Sequence, residues 1–223
     1  MSRPALVLRP QPGNAATAAR LEAIGLRAIC LPLFAVVPVP WARPAVGNHD
    51  ALLLTSANAV RHAGPGLDAL RSLPVIAVGS GTAAAARAAG LDVAVTGEGD
   101  AIDARALAQA RGWHRLLRLA GRDRTALDGV TDVPVYAAEP VPPAPDTLRR
   151  ADGSVALLHS SRAARWFATL IDRHGVPRDA VRLAALSRAV ADAAGTGWAD
   201  IAVASTPSDS ALVTLAGTLA IDP

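Results

Sequence analysis

The chain has 223 residues, of which 51% are hydrophobic, so it is long enough for one large domain or two smaller ones with buried cores. Its net charge of +3 is compatible with an acidic partner, and every basic residue is an arginine because the chain has no lysine. The arginines are spread evenly and only 3% of the residues are aromatic, which argues against a basic stripe or a stacking platform for nucleic acid.

The cysteine content and the hydropathy pattern predict a cytoplasmic protein. Cys30 is the only cysteine, which rules out an internal disulfide, and its apolar neighbours predict a buried thiol in a reducing compartment. The longest apolar run, 29–42, contains three prolines and is shorter than the roughly 20 residues of a membrane-spanning helix. The apolar stretch at 5–8 is too short for a signal peptide. We therefore expect no membrane association.

Short runs of valine, leucine and isoleucine alternate with alanine-rich stretches of helical period, which is typical of a parallel sheet with helices on both faces. The first helix is predicted to begin at an Asn14 cap and to end at Gly25. In chain order, the predicted strands are 5–9, 28–33, 51–55, 75–78, 93–96, 115–119, 133–137, 155–159, 183–186 and 201–204. The later helices are predicted at 81–89, 101–110, 162–173, 188–194 and 209–218.

An internal repeat relates two parts of this pattern. The segment 54–59 recurs 104 residues later at 158–163, and the strands that follow recur 108 residues apart. Each copy has the order strand, serine turn, helix, strand, turn of small residues, helix, strand. The repeat predicts two similar lobes.

Two proline-rich segments divide the chain into these lobes. They lie at 37–44 and 139–145, and we interpret them as linker strands. One lobe is then predicted over 45–138 and the other over 1–36 plus 146–223, each with a doubly wound parallel sheet of about five strands. We expect a ligand cleft between the lobes, because such clefts are frequent binding sites.

Four polar turns are predicted at the carboxyl ends of strands, where open α/β sheets bind their ligands. Each places hydroxyl groups and free backbone N–H groups at the start of a helix, an arrangement that can bind anions. For any single turn, helix capping is the simpler explanation. As two related pairs, the turns favour a ligand with several negative groups. They lie at 55–58, 79–82, 160–161 and 205–208.

One further motif suggests a different function, and the settings of a hydrolase nucleophile and of a metal site are absent from the sequence. Residues 79–84 match the dinucleotide pattern G-x-G-x-x-A after a strand, with Glu98 further along, so an NAD(P)-dependent oxidoreductase stays an alternative. Neither Ser56 nor Ser160 has the G-x-S-x-G setting of a hydrolase nucleophile. The histidines show no metal-ligand spacing, and we therefore predict no metal site.

Three side chains towards the second linker are further candidates. Tyr136, the only tyrosine, precedes the linker, although a lone tyrosine on a strand is more often a core residue. Arg122 and Arg124 follow a predicted strand end and can bind a carboxylate, and solvated surface charge explains them equally well.

Taken together, these segments resemble the uroporphyrinogen-III synthase family. The resemblance spans almost the whole chain and depends on the order and spacing of short motifs. The family has two flavodoxin-like lobes joined by a two-stranded linker, so the resemblance implies an α/β fold of this kind. The motifs are 8–10, Pro32, 53–60, 77–79 with 82–83, 135–136, 158–161 and 207–212.

The resemblance implies an enzyme of heme biosynthesis that cyclises hydroxymethylbilane, which has eight carboxylates, with inversion of ring D. Loss of water gives an azafulvene, a spiro intermediate forms and fragments, and the ring recloses without a cofactor or a metal. The family's tyrosine corresponds to Tyr136, a neutral hydrogen-bond donor for the leaving hydroxyl. The serine and threonine of the family's first lobe correspond to Ser56 and Thr82 in this sequence. A threonine that some relatives have in the second lobe corresponds to Val190, which has no hydroxyl group.

The substrate-binding residues expected from the turns and the resemblance together are Arg9, Thr55, Ser56, Ala57, Asn58, Gly81, Thr82, Arg122, Ser160, Ser161, Arg162 and Pro207. We expect a monomer that binds no nucleic acid. The alternative of another class is a non-catalytic two-lobe module that binds an acidic metabolite or a tetrapyrrole, and the oxidoreductase is third.

Overall fold

The computed structural model describes residues 2–221, so residue 1 and residues 222–223 of the lobe predicted over 1–36 plus 146–223 lie outside the described residues. The chain divides into two compact units. The split unit runs from the start of the chain to Ala35 and from Pro140 to the end, and the central unit is Val36–Glu139. The boundaries fall within two strands, β3 (Phe34–Pro38) and β8 (Val130–Pro140).

The split unit contains a five-stranded sheet in which every neighbouring pair is parallel. Its order is β11-β10-β9-β1-β2, which is the flavodoxin-like order 2-1-3-4-5 when the strands are counted along the chain. This confirms the predicted fold class for this unit. The strands are β1 (Ala5–Val7), β2 (Ala28–Cys30), β9 (Val155–Leu158), β10 (Arg182–Ala185) and β11 (Asp200–Val203).

Helices cover both faces of this sheet. On one face α1 (Gly13–Ala23) contacts α8 (Asp209–Leu219), and both pack on buried side chains such as Val7 and Leu157. On the other face α6 (Ser161–Arg173) contacts α7 (Arg188–Ala194). The apolar residues of α6 recur every three to four positions, which gives the helix one buried stripe. A short helix, α5 (Pro145–Leu148), precedes β9.

The central unit contains the second sheet, ordered β3-β8-β7-β4-β5-β6, and the pairs from β8 to β6 are parallel. Helices α2 (Ala57–His62) and α3 (Ser80–Ala88) contact each other on one face, and α4 (Ala101–Gln109) packs on the other. The remaining strands are β4 (Ala51–Leu54), β5 (Val75–Val78), β6 (Val93–Gly97) and β7 (Leu116–Gly121).

The two sheets have equivalent strand orders, as the internal repeat predicts. Strands β4, β5 and β6 occupy the places of β9, β10 and β11, and β7 and β8 occupy those of β1 and β2. The strand register is equivalent as well. Leu53 and Leu157 occupy the same position in the repeat, and they pair with Arg118 and with Val7, respectively. Each sheet therefore combines three strands of one copy with two equivalent strands from elsewhere in the chain, and the central sheet has β3 as an additional edge strand.

The units differ in how the corresponding strand pairs are joined. Helix α1 connects β1 to β2, whereas residues 122–129, which connect β7 to β8, contain no helix. Parallel neighbours usually need a longer crossover with a helix. The face of the central sheet that carries α4 therefore lacks a counterpart of α1.

Two sequence predictions differ from the structure. The N-cap of α1 is Pro12, and Asn14 is instead fully buried, where its Nδ2 donates to the carbonyl oxygens of Val7 and Arg9 at 2.8 and 2.9 Å. Cys30 is exposed rather than buried, because β2 is the edge strand of its sheet. The first connector begins as a strand, β3, which belongs to the central sheet. No helix within residues 2–221 is long and apolar enough to cross a membrane.

Candidate functional site

The predicted site residues lie in two groups, one in each unit. In the split unit, Arg9, Ser160 and Pro207 follow the carboxyl ends of β1, β9 and β11. Because β1 and β9 are neighbours, Arg9 and the Ser160 turn belong to the same edge of the sheet. In the central unit, the turns at 55–58 and 79–82 follow the neighbouring strands β4 and β5.

A polar cluster around Asp209 connects the start of α8 to α1 and to the residues that follow β1 and β9 in the split unit. One carboxylate oxygen, Oδ1, accepts hydrogen bonds from Thr17 Oγ1 at 2.7 Å, His159 Nε2 at 2.8 Å and Arg9 Nη1 at 3.1 Å. The other, Oδ2, accepts from Arg20 Nη1 at 2.6 Å. We call these five residues the Asp209 cluster. Sequence analysis found Arg9 alone among them, since its partners are up to 200 residues away in the chain.

The pKa shifts in this cluster favour a neutral histidine beside a charged carboxylate. Burial lowers the pKa of His159, and the nearby Arg9 charge lowers it further against the opposing hydrogen bond to Asp209. Burial alone raises the pKa of Asp209, but the hydrogen bonds from His159 and Thr17 outweigh it, so this pKa lies below its ordinary value. With two arginines and one aspartate, the cluster carries a positive charge that suits an anionic ligand.

The serines after β9 make capping and tethering hydrogen bonds. Ser160 is the N-cap of α6 and its hydroxyl accepts from the backbone N–H of Ala163 at 3.2 Å. Ser161 donates to the carbonyl oxygen of Ala189 at 3.0 Å. Arg162 lies over the ring of Phe34, with its guanidinium carbon 4.6 Å from the ring centroid. These contacts hold the first turn of α6 in place.

In the central unit, the turn after β4 is also a helix cap. Ser56 accepts from the backbone N–H of Asn58 at 3.2 Å and begins α2 with Ala57, while Thr55 lies between the strand and the cap. The turn after β5 differs, because Gly79 is the N-cap of α3 with a φ of +79° and makes no side-chain cap. Thr82 is buried within α3, and Gly81 precedes it.

Tyr136 lies in β8 and packs against the end of the neighbouring strand β7. A Cβ atom at Gly121 would lie 3.0 Å from two carbon atoms of the phenol ring, which is closer than most such contacts, so a larger residue at this position would push the ring aside by a few tenths of an ångström. The ring is 6.3 Å from that of His62 between centroids. Within residues 2–221 the Tyr136 hydroxyl has no hydrogen-bond partner and is not among the buried unsatisfied atoms. It is thus available to a ligand.

Arg122, which follows β7, is paired on the surface. Its Nη1 donates to Glu139 Oε1 at 2.9 Å, and both side chains are about half exposed. Its backbone N–H donates to the carbonyl oxygen of Tyr136 at 2.8 Å. This last bond ties the residue to the strand that carries the tyrosine.

A second ionic group lies beneath α4, and sequence analysis named only one of its members, Arg124. Arg118, in the middle of β7, is only 4% exposed. Its Nε and Nη2 donate to the two carboxylate oxygens of Asp132 at 2.6 and 2.7 Å, and Arg124 Nε donates to the same carboxylate at 3.0 Å. Burial raises the pKa of Asp132, but these hydrogen bonds outweigh it and hold the pKa below its ordinary value. An arginine inside the predicted strand 115–119, with leucines on both sides, was the available signal.

A cavity of about 340 Å³ lies above this ionic group, and we call it the β7–β8 pocket. It is lined by Thr55, Asp100, Ala101, Ile102, Arg118, Arg124, Thr125 and Leu127. Among residues 2–221, no group of three or more histidine, cysteine, aspartate or glutamate side chains could hold a metal ion.

Comparison with known proteins identifies a family over most of the chain. The sequence profile described as uroporphyrinogen-III synthase HemD matches residues 15–214. No curated protein matches the chain. The crystal structure of uroporphyrinogen-III synthetase from Helicobacter pylori is similar, with a TM-score of 0.68 at 16% identity over 98% of this chain and 100% of that one. A mutant uroporphyrinogen III synthase from the extremely thermophilic bacterium Thermus thermophilus has a TM-score of 0.51 at 18% identity, over 98% of this chain and 99% of that one.

Proposed function

The chain belongs to the uroporphyrinogen-III synthase family, and from this premise we propose which of its residues bind and convert the substrate. It is an enzyme of heme biosynthesis, and the substrate of its family is hydroxymethylbilane. The observation that carries this function is the family match over residues 15–214, together with a fold of two parallel α/β sheets. Both predictions made from the resemblance, the fold class and the enzyme, are confirmed.

The substrate's carboxylates bind at the strand ends of both units. In the split unit, Arg9 of the Asp209 cluster and the turn at 160–162 supply guanidinium and hydroxyl donors, and Pro207, which has no N–H group, lines the site without donating. In the central unit, Arg122 and the polar side chains of the turn at 55–58 act in the same way, whereas Ala57, Gly81 and the buried Thr82 offer backbone N–H groups at the starts of α2 and α3. The positive charge of the Asp209 cluster supports this assignment, because arginine binds carboxylates with defined geometry.

Tyr136 assists the departure of the hydroxymethyl oxygen. The carbon–oxygen bond breaks as the pyrrole nitrogen donates electrons to the carbon, and the phenol proton leaves with the oxygen as water. The azafulvene carbon is then attacked by the substituted carbon of ring D, and the spiro intermediate fragments and recloses. The ring D carbon that forms the closing bond then loses its proton to the phenolate of Tyr136, which becomes a phenol again. The unpaired Tyr136 hydroxyl beside Gly121 supports this role.

The enzyme acts as a cytoplasmic monomer without a nucleic-acid partner and needs no cofactor. The even spread of arginines supports the absence of a nucleic-acid interface. The lobes correspond to 45–138 and to 1–36 plus 146–223, with linker strands at 37–44 and 139–145.

Incubation of the purified enzyme with hydroxymethylbilane tests the function directly. We expect the asymmetric isomer III as the main product after oxidation and chromatographic separation of the porphyrins. Spontaneous closure yields the symmetric isomer I, so a protein that gives isomer I alone at the rate of the uncatalysed reaction has a different function.

The variant Tyr136→Phe tests the role of the phenol, since phenylalanine keeps the ring over Gly121 and removes only the hydroxyl. We expect kcat to fall about 10- to 100-fold with little change in KM, because a lost proton donor raises the barrier of the chemical step. An unaltered kcat would remove Tyr136 from the mechanism. The melting temperature serves as the folding control.

A further inference from the structure

The β7–β8 pocket lies where the central unit lacks the counterpart of α1. In the split unit, α1 joins the two strands equivalent to β7 and β8 and packs beside α8. In the central unit, residues 122–129 make the same connection without a helix, and the space is open between α4 and the loop. The pocket is therefore built by the topology of this unit, and its lining residues all belong to this unit.

The floor of the pocket is a buried cation with an unused donor. Arg118 occupies the position that Val7 occupies in the split unit, where that residue is completely buried in an apolar core. Within residues 2–221, the Arg118 Nη1 nitrogen has no hydrogen-bond partner, and it is not among the buried unsatisfied atoms. Arg124 lies beside it, so two arginines share the single carboxylate of Asp132. A ligand carboxylate can satisfy the remaining donor.

The rim of the pocket differs from its floor in charge and polarity. Ile102 is 60% exposed, and with Leu127 it gives the walls an apolar character. Asp100 lies on the rim, and its Oδ1 caps α4 by accepting from the backbone N–H groups of Ile102 and Asp103. The pocket thus has cationic donors below, apolar walls and a carboxylate acceptor above.

This arrangement is complementary to one class of ligand. Such a ligand would place an apolar ring between Ile102 and Leu127, an acid arm at Arg118 and Arg124, and a ring N–H group at Asp100. The volume of about 340 Å³ is at the lower end of the roughly 300–1,000 Å³ of small-molecule sites, which suits one ring rather than four. We infer that the β7–β8 pocket binds one pyrrole ring of the substrate together with a carboxylate arm. The inference depends on the proposed function.

Kinetics of two variants with exposed or partly exposed side chains test the inference without removing the buried Arg118. Arg124→Gln removes a floor cation while Asp132 keeps its bonds to Arg118, and Ile102→Ala removes a wall. We expect each to raise the KM for hydroxymethylbilane about three- to tenfold, as expected for the loss of one hydrogen bond or apolar contact. Matched controls are Arg111→Gln and Leu107→Ala, which lie outside the pocket lining and should leave KM unchanged. Wild-type KM values in both pocket variants would overturn the inference.

Direct binding separates failure of this inference from failure of the proposed function. The probe is a monopyrrole with one acetate and one propionate arm, titrated into the ¹⁵N-labelled full chain and followed by nuclear magnetic resonance. We expect the amide signals of Ala101, Ile102 and Thr125 to shift, and Arg124→Gln to weaken the binding. Shifts confined to the Asp209 cluster, or no shifts near the solubility limit, would overturn the pocket even in an enzyme that produces isomer III. Shifts at the pocket support it whichever isomer the chain produces.

Discussion

The two units have equivalent strand orders but stabilise the same region of the sheet differently. In the split unit, α1 covers the sheet, Val7 is apolar, and the ionic groups form the Asp209 cluster, which joins α1 to the start of α8 and to the ends of β1 and β9. In the central unit, no helix joins β7 to β8, and a buried Arg118–Asp132 pair lies on the sheet with a cavity above it. One repeated architecture thus supports a covered ionic cluster in one unit and an open pocket in the other.

The position of each aspartate determines how much stability depends on it. Asp132 neutralises the guanidinium of Arg118, which is nearly inaccessible to water. The two cations beside Asp209, Arg9 and Arg20, are instead 33% and 53% exposed. Water can replace a lost partner for an exposed cation but not for a buried one. We therefore expect the central unit to be the more sensitive to loss of its aspartate.

The largest effect is expected for Asp132→Asn. This change leaves the buried Arg118 charge without its carboxylate and should lower the free energy of unfolding by about 3–5 kcal/mol. Urea denaturation followed by circular dichroism measures it. Replacing both partners, with Arg118→Met and Asp132→Leu, should cost far less, because no charge is then left buried. A single variant that costs less than its double replacement would contradict this account.

A smaller loss is expected for Asp209→Asn, which keeps the shape of the side chain but weakens four hydrogen bonds. We expect the free energy of unfolding to fall by about 1–3 kcal/mol, because Arg9 and Arg20 can be rehydrated. The matched control is Arg20→Gln, whose half-exposed ion pair should contribute less than about 1 kcal/mol. If Asp209→Asn were as costly as Asp132→Asn, exposure would not explain the difference between the units.

The sheets and their repeat could be predicted from sequence because both depend on local signals. Buried parallel strands are continuous apolar runs, and β5 and α7 have the bounds that their patterns indicate. The predicted N-cap of α1 was wrong. Asn14 is a good cap residue by local propensity, but its side-chain amide instead donates to the backbone carbonyl oxygens of Val7 and Arg9 at the end of β1. A local propensity cannot reveal that a tertiary hydrogen bond uses the same side chain.

The polar groups of the two units could be predicted only in part, because long-range contacts determine them. The turns that carry hydroxyl groups are visible in the local sequence. Ser56 and Ser160 act as N-caps of their helices, which is the simpler of the two explanations offered for these turns. The Asp209 cluster unites residues separated by up to 200 positions, so no spacing indicates it. The β7–β8 pocket depends on a missing helix, which only the comparison of the two units makes visible.

The smallest effect is a pH dependence that compares the units through their histidines. Burial lowers the pKa of His159 in the split unit and also that of His62 in the central unit. As the pH falls through the ordinary value near 6.5, the unfolded chain binds a proton that the folded chain does not, so stability falls between that value and the lower folded pKa. One such group gives a slope of at most about 1.4 kcal/mol per pH unit.

Thermal unfolding between pH 7.5 and 5.5 measures this slope in the wild type and in single variants. His159→Gln should flatten it more than His62→Gln, because His159 is the more deeply buried and Arg9 opposes its protonation despite the hydrogen bond to Asp209. His174→Gln, which replaces the histidine at the end of α6 outside the Asp209 cluster, controls for the loss of a histidine side chain in itself. A slope unaffected by His159→Gln would mean that the Asp209 cluster accepts a proton without cost, and the neutral histidine assigned to it would then be wrong.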